Sequence, residues 1–271
     1  MTKRRIGVFG CGNMGSALVR SIKNQFTDAE FFLFTPSKIK ADELAIIVDG
    51  ISLDNISDMP SDLDWYILAF KPQSLDDFEF NFKKDSKILS ILAGTPTSKL
   101  ITKFDSKKIA RLMPNIPSVL GVGANLLFLN PEFSSIESVD IHSLLNATGK
   151  IFPMESEKDL DIATAFSGSG PALIFELARI FEAELSRMTD GRLPAKEIIT
   201  QTFLGSSLLM NSDLHNELSF FYPKELYELL RQQLFLPVLA EQVLFSRVWL
   251  MHQIIFLPVC FYQMNRFLRK L

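Results

Sequence analysis

Short apolar runs recur through the first half of the chain: Arg5-Ile6-Gly7-Val8-Phe9, Glu30-Phe31-Phe32-Leu33-Phe34, Asp64-Trp65-Tyr66-Ile67-Leu68-Ala69-Phe70, Lys87-Ile88-Leu89-Ser90-Ile91-Leu92-Ala93 and Ile109-Ala110-Arg111-Leu112-Met113. Each has the length of a strand, and the run at 64–70 is apolar on both faces, as in a parallel strand covered by helices. Between the first two, Ala17, Leu18 and Ile22 repeat at helical spacing, a polar helix is predicted over 37–45, and a short segment follows at 50–53. The runs stop at Gly10, Pro36, Pro72, Gly94 and Pro114, where glycine turns the chain or proline forbids further pairing. In an open parallel sheet these carboxyl ends gather around a ligand crevice. From residue 156 the apolar spacing becomes helical. Ser167-Gly168-Ser169-Gly170-Pro171 breaks it, and Leu173, Leu177, Ile180, Phe181 and Leu185 then predict a helix over 172–188. Pro194 suits the first turn of a further helix through Ile198, Ile199, Phe203 and Leu208. The pattern predicts an α/β Rossmann-like dinucleotide-binding domain over 1–155, then an all-α dimerisation domain over 156–233 whose apolar faces need a second subunit.

The first run leads directly into Gly10-Cys11-Gly12-Asn13-Met14-Gly15 and then a helical pattern. In a G-x-G-x-x-G turn of this kind Gly10 permits the tight turn, Gly12 lets the backbone approach a pyrophosphate, and Gly15 lets helix and sheet pack closely. The helix N-terminus adds free N–H groups and a positive dipole end. An NAD site places a carboxylate at the tip of the second strand. Here the tip reads Thr35-Pro36-Ser37-Lys38, and hydroxyls with a lysine suit a 2′-phosphate, so NADPH is favoured, with NADH an open alternative.

Composition narrows the setting. The chain has 271 residues, 47% hydrophobic, with a net charge of −3; that length allows two cores, and no basic balance points to nucleic acid. Cys11 and Cys260 form no disulfide framework, and the first strand begins almost at Met1 with no signal peptide before it, so a reducing, cytoplasmic setting is expected. His142, His215 and His252 lack metal-ligand spacing, and no metal is expected.

Five separated motifs resemble those of the pyrroline-5-carboxylate reductases. They are the glycine turn, Leu68-Ala69-Phe70-Lys71-Pro72-Gln73, Ser90-Ile91-Leu92-Ala93-Gly94, Arg111-Leu112-Met113-Pro114-Asn115-Ile116-Pro117, and Thr164-Ala165-Phe166-Ser167-Gly168-Ser169-Gly170-Pro171-Ala172. The last two discriminate, since many Rossmann reductases share the first. The resemblance implies reduction of the imine of L-1-pyrroline-5-carboxylate to L-proline by NADPH. It also implies that Phe9, Gly10, Cys11, Gly12, Asn13, Met14, Gly15, Thr35, Ser37, Lys38 and Asn55 hold the phosphates and adenosine, and that Ala69, Phe70, Lys71 and Ala93 line the cofactor cleft. Met113 and Pro114 approach the nicotinamide, and Asn115, Ser167 and Gly168 lie where substrate meets it. An acidic residue past the Gly205 helix, Asp213 with Glu217 as its substitute, is implied beside the imine nitrogen, while no residue is singled out as catalytic. The expected partners are the small imine and a second subunit, with neither nucleic acid nor membrane. A related Rossmann imine or hydroxy-acid reductase, or an inactive NADP-binding protein, stays open as an alternative.

From residue 234 the chain departs from that family. Where a Ser/Thr/Gly loop for the substrate carboxylate is expected, it reads Leu234-Phe235-Leu236-Pro237-Val238-Leu239, and no glycine follows Gly205. The apolar run at 248–264 falls short of the roughly 20 residues a membrane-spanning helix needs. Moving the codon boundaries by one nucleotide permits Ser, Gly and Thr across 236–238 and Ala-Gly across 241–244. A shifted frame from about residue 234 therefore accounts for an aberrant apolar tail over 234–271, with impaired turnover as its consequence.

Overall fold

In the computed structural model, residues 3–212 are described. They fall into two compact units, up to Pro171 and from Ala172 onward. The first unit is built on an eight-stranded sheet. In chain order it contains β1 (Arg5–Phe9), α1 (Asn13–Gln25), β2 (Glu30–Phe34), α2 (Lys38–Val48), β3 (Ile51–Ser52), β4 (Trp65–Leu68), β5 (Ile88–Ser90), α3 (Thr97–Phe104), β6 (Ile109–Met113), β7 (Gly123–Leu129), α4 (Ser135–Leu145) and β8 (Gly149–Pro153). A long helix α5 (Glu157–Met188) follows, then α6 (Ala195–Met210). This is the expected Rossmann-like domain followed by helices.

The strand order is β3-β2-β1-β4-β5-β6-β7-β8. The order reverses between β1 and β4, which pair in parallel from Ile6↔Trp65 to Phe9↔Leu68, so the ligand crevice of an open α/β sheet lies off their carboxyl ends. Parallel pairing stops at β6. β7 runs antiparallel to it, with Met113↔Leu126 in register, and β8 then pairs parallel to β7. Strand alternation sorts the core onto two faces. Ile6, Val8, Trp65 and Ile67 face Leu18, Val19 and Ile22 of α1, Leu44 and Val48 of α2, and Ile141 and Leu144 of α4. Phe9, Tyr66, Leu68, Ile88 and Ile109 face Leu100 and Phe104 of α3.

Two features depart from the hydrophobic pattern. Parallel strands are usually joined through a helix, yet the crossover from β4 to β5 has only a 3-10 turn, Pro72–Ser74. Its Phe78-Glu79-Phe80-Asn81-Phe82 has a period of two, so alternate rings fall on one side. Phe78 stacks on Phe70 at 4.7 Å, Phe80 meets Phe9 at 5.0 Å, and Phe82 meets Tyr66 at 5.0 Å and Phe104 at 4.9 Å. These rings cover the face that a crossover helix would cover.

The second departure is a correction. Ser167 to Pro171 does not interrupt the helical part, because α5 runs through it with Pro171 inside. An interior proline removes one N–H and costs about 3 kcal/mol when nothing compensates. The compensation comes from outside the helix and is described below.

Candidate cofactor and substrate site

The turn between β1 and α1 is shaped by what glycine omits. Gly10 has φ of +109°, and a Cβ there would lie 2.5 Å from the Ala69 carbonyl carbon and oxygen. The turn therefore packs directly on the chain leaving β4, which Ala69 N secures by donating to Phe9 O at 2.7 Å. A Cβ at Gly15 would come within 2.3 Å of Gly10 O, whereas one at Gly12 would meet nothing within 4 Å. The open side of the turn is thus at Gly12, the N-cap of α1. No side chain caps α1 and its first turn holds no acid, so its leading N–H groups and positive end have no partner among the described residues. Cys11 is buried, and burial pushes its thiol up to about 11. Its alkylation at pH 7.5 is expected to be about 100-fold slower than that of an unhindered thiol, measured by mass spectrometry of the peptide containing residue 11.

At the tip of β2, Thr35 is half-buried and Ser37 exposed, and neither hydroxyl has a partner among the described residues. Lys38 is already engaged. Its Nζ reaches Asp54 Oδ1 at 2.8 Å and Asp42 Oδ1 at 3.4 Å, and donates to Ser52 O at 3.2 Å. The hydrogen bond to Asp54 leads in raising its pKa. Two carboxylates thus balance its charge. A cavity of about 390 Å³ beside the tip is lined by Gly12, Asn13, Ser16 and Arg20 on one side and Lys40 and Glu43 on the other. Arg20 has no signal in the sequence beyond its place on α1, three residues past Ala17. Asn55 is exposed, and its N and Nδ2 both donate to Asp58 Oδ2, at 3.1 and 3.2 Å.

Phe70, Lys71 and Ala93 follow the ends of β4 and β5. Phe70 is half-buried against Phe78, while Lys71 and Ala93 are exposed. At the end of β6, Met113 is buried and Pro114 half-buried. One residue on this strand had no functional reading in the sequence: Arg111, 1% exposed. Its guanidinium donates to Glu157 Oε1 at 2.6 Å and Asp161 Oδ1 at 3.0 Å, both on α5. Glu157 also accepts from Thr97 N at 2.9 Å and Thr97 Oγ1 at 2.7 Å. Burial works against its ionisation, but the bonds from Thr97 and Arg111 outweigh it and hold the carboxyl below its ordinary range. Arg111 thus ties β6, the start of α3 and the start of α5 together.

Asn115, 8% exposed, reaches the same helix six residues beyond Asp161, nearly two turns further on. Its Nδ2 donates to Ser167 O at 3.1 Å, and its Oδ1 accepts from Ala124 N at 3.0 Å. Ser167 Oγ is buried without a partner among the described residues. Among the described residues, a Cβ added at Gly168 would meet Thr164 Cγ2 at 3.7 Å and one at Gly170 would meet nothing within 4 Å. The structure therefore brings Asn115 to Ser167, and the glycine turn to Ala69. Asp213 and Glu217 lie outside the described residues. Among the described residues no three His, Cys, Asp or Glu side chains gather as metal ligands, and no helix is long and apolar enough to cross a membrane.

Residues 157–221 match the family model described as pyrroline-5-carboxylate reductase dimerisation, and residues 5–94 the one described as NADP oxidoreductase, coenzyme F420-dependent. A pyrroline-5-carboxylate reductase of Pseudomonas aeruginosa is 29% identical over 215 residues, 76% of this chain and 78% of that one. By these matches the chain is similar to the pyrroline-5-carboxylate reductases. The crystal structure of 1-pyrroline-5-carboxylate reductase from Streptococcus pyogenes is 26% identical, with a TM-score of 0.71 over 87% of this chain and 94% of that one. The Plasmodium falciparum pyrroline carboxylate reductase, solved with NADP bound, shares the fold with a TM-score of 0.65 at 22% identity, over 88% of this chain and 94% of that one. Residues from 222 onward lie beyond both matched family models.

Proposed function

We propose that the chain reduces the imine of L-1-pyrroline-5-carboxylate to L-proline, with NADPH as reductant. The observation that carries this reading is that the carboxyl ends of one parallel sheet hold both a turn open at Gly12 for a pyrophosphate and a β6 end whose Asn115 engages the Ser167 segment. The residues present fit the cofactor. An uncapped α1 offers its N–H groups to phosphates, and the tip of β2 carries the hydroxyls of Thr35 and Ser37 with no carboxylate. Lys38 adds hydrogen-bond donors more than net charge, since Asp42 and Asp54 balance it. When bound, the cofactor supplies hydride; the protein supplies orientation and exclusion of water. In this reading Phe70, Lys71 and Ala93 flank the cleft, and Met113 and Pro114 close its inner wall. Ser167 Oγ and Gly168 receive the substrate. An acidic residue beside the imine nitrogen would favour the protonated imine that accepts hydride more readily; Asp213, the candidate for it, lies outside the described residues.

The helical part works as a homo-oligomer. Support comes from the matched dimerisation model and from Leu204, Leu208 and Met210 of α6, which are exposed in the single chain. The departure at 234–271 lies outside the described residues. Its reading as a shifted frame is tested on the nucleotides through codons 230–250.

The test of function mixes the full chain with NADPH and pyrroline-5-carboxylate and follows loss of NADPH absorbance and formation of proline. Turnover is the expected result, either by this chain or, if its frame is shifted, after frame correction. NADPH binding without turnover by both versions would overturn the reading and leave a nucleotide-binding protein.

A further inference from the structure

An α-helix normally needs nothing from outside to satisfy its interior carbonyls, because each accepts from the N–H four residues on. In α5 the carbonyl of Ser167 is an exception, since its partner would be the N–H of residue 171, and Pro171 has none. That orphan carbonyl receives its hydrogen bond from Asn115 Nδ2, at 3.1 Å, across 52 residues of sequence. The amide cannot be reversed. Its Oδ1 accepts from the Ala124 N–H at 3.0 Å, and turning it over would set oxygen against the Ser167 carbonyl and N–H against N–H. The base on which Asn115 stands is rigid as well. Ser118 Oγ donates to Asn125 Oδ1 at 2.8 Å, Asn125 Nδ2 to Thr148 Oγ1 at 2.9 Å, and Thr148 Oγ1 to Leu145 O at 2.6 Å, all of them buried. A Cβ on Gly123 would collide with Ser118 Oγ at 1.9 Å, so the turn after Asn115 is packed against the start of β7.

We propose that Asn115 is a positioning residue. It takes the place of the backbone hydrogen bond that Pro171 removes, and so makes the placement of Ser167 and Gly168 depend on the end of β6. Without the proline, α5 would close its own hydrogen bonds at Ser167, and that segment would need nothing from Asn115. With it, the helix is continuous only while Asn115 is in place, so the segment carrying the Ser167 hydroxyl is held in register with Met113 and Pro114. This rests on the reductase reading for its kinetic consequence, though not for its structural one. Each end of its amide keeps one further hydrogen-bonding position, so rescue by Pro171→Ala is what separates this role from that of a direct substrate ligand.

The experiment is a rescue cycle in the full chain with Asn115→Ala, Pro171→Ala and the double variant. Pro171→Ala returns an N–H to the position that faces Ser167 O. Asn115→Ala is expected to lower the thermal midpoint by about 4–8 °C for the two hydrogen bonds its amide makes and to speed amide hydrogen exchange over 164–175. It should lower kcat at least 10-fold while leaving the Kd for NADPH within about twofold. The double variant should recover the exchange protection and most of kcat, although Ala124 N still lacks its acceptor. Should Asn115→Ala alone yield no folded protein, recovery of a folded chain by the double variant is the expected result, and its absence counts against the proposal. A double variant no better protected than Asn115→Ala, or a loss confined to KM for the imine with no rescue, would overturn the proposal and make Asn115 a substrate ligand. If the unaltered chain, in either reading frame, reduces no imine, the proposed function fails, while the exchange and melting results still decide the positioning role.

Discussion

Gly10→Ala is expected to bind NADPH at least 100-fold more weakly than the unaltered chain and to melt several degrees lower. The Cβ would lie 2.5 Å from the Ala69 carbonyl carbon and oxygen and 2.6 Å from Phe70 N. These are backbone atoms of the neighbouring strand's exit, held by the bond from Ala69 N to Phe9 O, and no rotamer can move them aside. The residue would also have to adopt φ of +109°, a region that costs a non-glycine residue of order 1–3 kcal/mol. Both strains are relieved only by lifting the turn off β4, which carries the leading N–H groups of α1 away from the pyrophosphate position. A 100-fold loss is about 2.7 kcal/mol, within reach of the φ penalty alone. Quenching of protein fluorescence by NADPH measures the affinity. Alanine at Gly12 is the control, because an added Cβ there meets nothing within 4 Å in the ligand-free chain. Its effect should appear only in binding, with the midpoint changed little. Equal thermal losses at Gly10 and Gly12 would refute the account of the turn.

Glu157→Ala is expected to be the most destabilising single change in the first unit, lowering the midpoint by about 10 °C. Removing one partner of a buried ion pair costs about 3–5 kcal/mol, and a chain of this size loses roughly 2–4 °C per kcal/mol. Arg111, 1% exposed, would keep only Asp161, and Thr97 N and Oγ1 at the start of α3 would lose their acceptor. The pH dependence follows from the same carboxylate. Its folded pKa lies below the ordinary value, so the stability it contributes is complete above the unfolded pKa and is lost as pH falls through the folded one. Melting curves from neutral pH downward should therefore show a steeper acid loss in the unaltered chain than in Glu157→Gln, which has no proton to take up. Parallel pH profiles for the two proteins would show that the pair contributes nothing through ionisation.

Much of the site was legible before the fold, and the exceptions have a common cause. Gly10, Gly12 and Gly15 could be read because their roles are set by neighbours in sequence and by the mechanics of one turn. The wrong reading of Ser167 to Pro171 as a break used the same local logic, in which a proline preceded by two glycines ends a helix. That logic failed because the missing donor came from Asn115, on another element. Lys38 was read as free positive charge for a 2′-phosphate, whereas Asp54, 16 residues away in sequence, sits 2.8 Å from it. The function of Arg111 was invisible for the same reason: on a strand otherwise apolar it reads as an interruption, and its partners lie 46 and 50 residues away.

The strands β1, β2, β4, β5 and β6, the helices α1 and α2, the open turn at Gly12 and the resemblance to a reductase family were legible in local pattern and motif, since hydrophobic period and glycine geometry act within a few residues. The antiparallel β7, the phenylalanine cover over the β4–β5 crossover, the buried Arg111 network and the continuity of α5 through Pro171 were decided only in three dimensions. Each depends on a polar group or ring finding a partner far away in the chain, and burial makes such partners obligatory without indicating in the sequence where they come from.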